Sequence, residues 1–263
     1  MLDPRQRCAV FIDIDSTLIA RDFKVPQRNL EAIARARQAG HAVFINTGRS
    51  WSNIPKMLRD QLEIDGYVAG NGAYLRLGEQ ELFRASFPQG AMKAAAEFIF
   101  RDRDHWLVFE GYLRNYSIGN GLRQPNEWQI PVESAEEFLA LSAGDEIQVL
   151  AIGPTVPEEF LSLLEDDMTV LPMGHYADCA VKGRSKAIGL LEMLDAIGVS
   201  RENSIAIGDS GNDLEMLQCV GVGVAVGNAD PAVKAHASLI TASNVESGVA
   251  VAIEQLLFGG NQI

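Results

Sequence analysis

The stretch Asp13-Ile14-Asp15-Ser16-Thr17-Leu18 follows directly on an apolar run, Ala9, Val10, Phe11 and Ile12. Such a run reads as a buried strand, and strands of this kind rarely end in two acids one residue apart. In an extended chain Asp13 and Asp15 point to opposite faces; in a turn they splay apart. An unpaired buried carboxylate costs several kcal/mol, so the pattern calls for a compensating charge. A hard divalent cation next to a phosphate group meets that need. A strand end with solvated acids is the plainer alternative.

Working outward, the same pattern recurs. An apolar strand at 41–46 ends at Thr47 and Gly48, and another at 204–208 (SIAIG) ends at Asp209. Strands and helices alternate in the first third, with strands at 8–13, 41–46 and 66–69, helices at 26–39 and 53–62, and a hairpin at 73–77 and 80–85. The last third alternates again, with helices at 185–197, 212–219, from 230, and at 247–257, around strands at 204–208 and 222–226. This order predicts an α/β protein with a Rossmann-like, doubly wound, mainly parallel sheet. Ligands of such sheets sit at the carboxyl ends of the strands, so Asp13, Thr47 and Asp209 are expected on one rim.

The middle changes character. A helix at 89–102, paired strands at 106–110 and 113–118, a strand at 146–152, a helix at 157–165 and a strand at 168–173 read as an inserted α+β module. The expected division is a core of 1–85 and 176–263 with a cap of 86–175.

Composition narrows the function. The 263 residues include 22 basic and 35 acidic side chains, a net charge of −13, with 47% hydrophobic residues. The chain is globular, and its charge argues against nucleic acid and anionic membrane surfaces as partners. No apolar run reaches bilayer length, and the N-terminal MLDPRQR lacks a signal-peptide core, so a cytoplasmic location is expected. Cys8, Cys179 and Cys219 read as free thiols. A monomer is expected, with a dimer as the alternative. The run GVGVAVG at 221–227 departs from the dinucleotide-binding pattern, because Val226 takes the third glycine position. His41, His105, His175 and His236 have no metal-ligand spacing.

The segment GDSGND at 208–213 adds Asp213 to Asp209. With Asp13 and Asp15 this makes four carboxylates, and like charges about 4 Å apart repel by roughly 4 kcal/mol per pair at an effective dielectric near 20. Mg²⁺ suits such a set, since it takes oxygen ligands and pairs with phosphate. A carboxylate can then act as nucleophile and a second acid as proton donor and acceptor. VKGRSKA at 181–187 offers Lys186, with Lys182 as competitor, to neutralise phosphate charge.

Taken together, DIDSTL, the strand ending in VFINT, VKGRSKA and IGDSGND resemble, in order, the four motifs of the haloacid dehalogenase superfamily. NGA at 71–73, VAVGNA at 224–229 and ITASNVESGVAVAIEQLL at 240–257 are similar to its Cof-type (type IIB, large-cap) phosphatases. The resemblance implies Asp13 as nucleophile and metal ligand, and Asp15 as general acid/base with its backbone carbonyl on Mg²⁺. It implies Asp209 and Asp213 as further metal-site residues, and Thr47, Gly48, Lys186 and Asn212 as phosphate binders. It implies a cap that reads the leaving group, for which Arg49, Glu110, Arg114, Asn115 and His175 are the candidates. Ser16 stands where most relatives have glycine. The expected activity is Mg²⁺-dependent hydrolysis of a small phosphorylated metabolite, a sugar phosphate first, through an aspartyl-phosphate. A phosphomutase or phosphotransferase, or a non-catalytic phosphate-binding scaffold, are the alternatives.

Overall fold

In the computed structural model, residues 2–19, 23–102, 104–119 and 128–259 are described. The chain opens with β1 (Ala9–Ile12), α1 (Gln27–Gln38), β2 (Ala42–Asn46), α2 (Lys56–Gln61), β3 (Gly66–Ala69), β4 (Tyr74–Leu77) and β5 (Gln80–Arg84). It continues through α3 (Gln89–Arg101), β6 (Trp106–Gly111), β7 (Asn115–Gly119), β8 (Gln129–Pro131), α4 (Ala135–Leu141), β9 (Ile147–Gly153), α5 (Glu158–Leu164), β10 (Met168–Pro172) and β11 (Ala177–Val181). It closes with α6 (Lys186–Ile197), β12 (Ser204–Gly208), α7 (Leu214–Gln218), β13 (Val222–Ala225), α8 (Pro231–His236), β14 (Leu239–Ile240) and α9 (Gly248–Phe258).

The first and last segments share one sheet, ordered β14-β13-β12-β1-β2-β3-β4-β5. It is parallel from β14 to β3, and the β4–β5 hairpin adds an antiparallel edge. β1 lies in the middle, pairing Ile12 with Ile45 of β2 and with Ile207 of β12. All four β1 residues are fully buried, as expected of a strand covered on both faces. α1 packs on α9 and α6 on α7, and both pairs cover this sheet. α6 starts where the Ser185 Oγ accepts from the Ile188 N–H and stops at Gly198 in the left-handed conformation, with φ of 67°.

The middle segment forms a second sheet, ordered β10-β11-β9-β6-β7-β8. Phe109, Leu150, Ile152 and Cys179 from its strands meet Phe98, Phe138 and Phe160 from α3, α4 and α5 in a separate core. The boundary expected between 175 and 176 is corrected here. β11 pairs antiparallel with both β10 and β9, so the six-stranded sheet extends to Val181 and the expected cut falls inside the β10–β11 hairpin. The sequence did not single out β8, α4, β11 or β14 as elements. Among the described residues no helix is long and apolar enough to cross a membrane.

Candidate functional site

Three adjacent parallel strands, β12, β1 and β2, end on one rim. Beyond them come Asp209, Asp13 and Thr47. Asp13 continues the β1 ladder, its N–H donating to Ile207 O, so its side chain is fixed by sheet geometry. Asp213 reaches the rim from a short 3₁₀ turn after β12. One of its oxygens, Oδ2, accepts from the Asp209 and Ser210 N–H groups at 2.9 and 3.0 Å. This turn needs glycine at 208, where a Cβ would lie 2.5 Å from Asp213 Cγ.

Lys186, the first residue of α6, is 2% exposed and points into the same rim. Its Nζ donates to Asp13 Oδ1 and Asp213 Oδ1, both at 2.7 Å, and to Asn212 Oδ1 at 3.3 Å. Burial alone would pull the ammonium towards neutrality, but the two paired carboxylates more than offset it and hold its pKa above the usual lysine value. Lys182 is directed elsewhere, donating to Glu165 O. Asp209 accepts from Thr17 Oγ1 at 2.9 Å. Burial, with Asp213 close by, pushes its carboxyl up to about 7. Asp13, Asp209 and Asp213 each bring a carboxylate oxygen within 4.8 Å of the others. An all-oxygen donor set of this kind fits a hard divalent cation.

Beside this charge cluster lies a cradle of small polar groups. Gly48 faces Asn212, whose Nδ2 would sit 3.3 Å from a Cβ at 48. Asn71 abuts the same point with a buried side-chain amide that has no hydrogen-bond partner among the described residues. Thr47 is buried one residue below, its Oγ1 accepting from the Arg49 N–H at 3.1 Å. Ser16 adopts φ of 59°, a conformation that suits glycine, which explains the residue type usual at that place.

A cavity of about 730 Å³ opens from Asp13, Asp15 and Lys186 towards the six-stranded sheet. Arg49 lines it but is engaged, its guanidinium donating to both oxygens of Asp15 at 2.7 and 2.8 Å. Glu110 also lines it and is engaged, accepting from Ser50 N–H at 3.2 Å and Asn53 Nδ2 at 2.7 Å. Asn115 is buried and accepts from Ser52 Oγ at 2.8 Å. Glu110 and Asn115 therefore fasten the second sheet to the loop after β2. The expectation that Arg114 and His175 face a ligand is corrected, since both are exposed and neither belongs to the cavity lining. Sequence reasoning missed Asp178, Trp106 and Tyr176, which do line it.

The chain is similar to known proteins along most of its length. The family model described as haloacid dehalogenase-like hydrolase matches residues 10–253. The chain is 30% identical to the 5-amino-6-(5-phospho-D-ribitylamino)uracil phosphatase YitU of Bacillus subtilis (strain 168), over 92% of this chain and 94% of that protein. It is 29% identical to the pyridoxal phosphate phosphatase YbhA of Escherichia coli (strain K12), over 92% and 95%. Among solved structures, the HAD subclass IIB sugar phosphatase BT4131 superposes with a TM-score of 0.78 at 29% identity, covering 94% of this chain and 98% of the other. This chain belongs to the haloacid dehalogenase-like hydrolase family, in its Cof-type branch of phosphatases.

Proposed function

We propose that the protein is a Mg²⁺-dependent phosphatase that hydrolyses the phosphate monoester of a small metabolite, a sugar phosphate first among them, through an aspartyl-phosphate. One observation carries the reading: Asp13, Asp209 and Asp213 converge within 4.8 Å at the rim, with buried Lys186 against two of them. Such a concentration of charge is costly unless it serves a ligand of mixed charge.

In this reading Asp13 attacks phosphorus, forming a carboxyl–phosphate bond as the ester P–O bond breaks. Asp15 donates a proton to the departing oxygen. It then takes a proton from the water that splits the aspartyl-phosphate, releasing inorganic phosphate and freeing Asp13. Lys186, Asn212 Nδ2 and the backbone at Gly48 hold the phosphoryl oxygens, over the buried Thr47. Asp13 and Asp209, with Asp213 behind them and the Asp15 carbonyl, would hold Mg²⁺, which supplies neutralisation of phosphate charge. Proton transfer at Asp15 requires its pair with Arg49 to open. A phosphate group would compete for that same guanidinium fork.

The test is release of inorganic phosphate from p-nitrophenyl phosphate by the purified protein, with Mg²⁺ and with EDTA. Release that depends on Mg²⁺ is expected. A folded sample inert with Mg²⁺ towards this ester and towards a panel of sugar phosphates overturns the reading.

A further inference from the structure

The six-stranded sheet turns one face to its own helices and the other to the cavity. Along β6, Leu107 and Phe109 enter the core under those helices, so Trp106, Val108 and Glu110 face the cavity. Val108 pairs with Ala151 of β9, and Ala151 pairs with Asp178 of β11, so these three form one row across the pleat. The neighbouring row begins with Trp106 opposite Gly153. A Cβ on Gly153 would lie 2.5 Å from Trp106 Cζ2, so the glycine lets the indole lie down across the strand. Over that notch the indole meets Tyr176, with ring centroids 6.0 Å apart and planes inclined by 38°.

The result is an apolar, aromatic shelf bearing two carboxylates, Glu110 and Asp178. Glu110, in the third row, is occupied by Ser50 and Asn53. Asp178 is different: among the described residues it has no hydrogen-bond or ion-pair partner, although it is half-buried and lines the cavity. A carboxylate accepts hydrogen bonds, and this one, open to the cavity, is free to accept from a donor on a ligand. The same cavity reaches Asp13 and Lys186, so a single ester can touch both ends.

Resting on the phosphatase reading, we propose that Trp106, Tyr176 and Asp178 form the leaving-group subsite. It takes an ester whose leaving-group ring lies on the two aromatic side chains and donates an O–H or N–H hydrogen bond to Asp178. Aromatic faces accept the C–H face of a sugar ring as well as a heteroaromatic ring, and both can carry the donor.

The test compares kcat/KM, with Mg²⁺, for glucose 6-phosphate, pyridoxal 5′-phosphate and benzyl phosphate. Each places the ester on a CH₂ group attached to a ring, and only the first two rings carry donors. The wild-type enzyme is expected to prefer at least one donor-bearing ester to benzyl phosphate by about tenfold or more, as a site built to bond a donor rejects the analogue without it. Whichever of the two is preferred identifies a sugar or a heteroaromatic ring. Asp178→Ala is expected to lower that ratio about tenfold, chiefly through KM, and Asp178→Asn to lower it by less. The wild-type ratio needs no variant, so a poorly folding variant still leaves the subsite tested. A wild-type enzyme with no preference for donor-bearing rings, or an Asp178→Ala ratio within about twofold of wild type, overturns the subsite. Absence of phosphate release from all three esters and from p-nitrophenyl phosphate overturns the phosphatase reading instead.

Discussion

At the rim of the eight-stranded sheet the charged side chains hold one another. Lys186 bonds Asp13 and Asp213, Asp213 bonds the backbone of its own turn, and Thr17 bonds Asp209. Across the cavity, on the six-stranded sheet, Asp178 has no hydrogen-bond or ion-pair partner among the described residues and shares the cavity lining with Trp106 and Tyr176. The rim is ordered before any ligand arrives, which suits groups whose geometry must be right at the moment of reaction. The opposite face is ordered in shape but open in its hydrogen bonding, which suits recognition of a variable group. Glu110 and Asn115 join the two regions by bonding Ser50, Ser52 and Asn53, within a few residues of Thr47 and Arg49.

The contrast is broken most directly at Asp13. Asp13→Asn is expected to lower turnover by about 10⁴-fold or more, as for loss of a covalent nucleophile. Its circular dichroism should match wild type. Near-normal phosphate release by this variant would mean that the rim is not the reacting side.

Lys186→Met removes the cation that two buried carboxylates share. Losing one partner of a buried pair typically costs about 3–5 kcal/mol, so the urea midpoint should fall accordingly. Asp178→Asn removes a charge that burial penalises and that has no ion-pair partner among the described residues, so its midpoint should not fall. Equal losses for the two variants would erase the distinction between an internally paired rim and an open shelf.

Protons provide a third comparison. Burial pushes both Asp209 and Asp178 up to about 7, aided by Asp213 in one case and Glu110 in the other. Each starts from an ordinary value of 3.8, so between there and about 7 the folded state binds more protons than the unfolded chain. Their contribution to stability is therefore full below the lower value and lost as pH rises through the upper one. The Tm of metal-free protein should fall between pH 5 and pH 8 for this reason. Mg²⁺ should raise Tm more at pH 8 than at pH 5, because it binds ionised carboxylates at the rim. The pH dependence that survives saturating Mg²⁺ should diminish in Asp178→Asn. Survival of the whole dependence in that variant would place the titrating group elsewhere.

The smallest effect is at Ser16. Its φ of 59° is strained for a residue with a Cβ. Ser16→Gly should relieve that strain, less the extra entropy of the unfolded chain, for a net gain of about 0.5 kcal/mol. Thermal unfolding should show a rise of about 1–2 °C. A fall would show that the serine side chain contributes more than its backbone costs.

Asp13, Asp209 and Lys186 were legible because each lies within a short contiguous run where an apolar strand or a capped helix meets polar residues. The switch is local, so one stretch of chain reveals it. The parallel α/β core was legible for the same reason, its strands being continuous apolar runs separated by amphipathic helices. Arg49 and Glu110 line the cavity, but their hydrogen-bond partners are Asp15, 34 residues away, and Ser50, 60 residues away. No local pattern encodes such pairings. The second module boundary was placed at 175/176 because no strand was read at 177–181, and only the pairing of β11 with β9 shows that the sheet continues.

From the sequence alone came the charged rim: which acids, which lysine and which strand ends carry them, since strand order and the rule for ligands at carboxyl ends bring those residues together. Tertiary structure alone decided the opposite face. Asp178 is one acid between Ala177 and Cys179, and it looks into the cavity because the pleat alternates and β11 pairs with β9 in that register. A slip of one residue would turn it into the core and bring Cys179 out. That choice depends on packing β9, β10 and β11 against α3, α4 and α5, a balance of buried surface that no single segment contains.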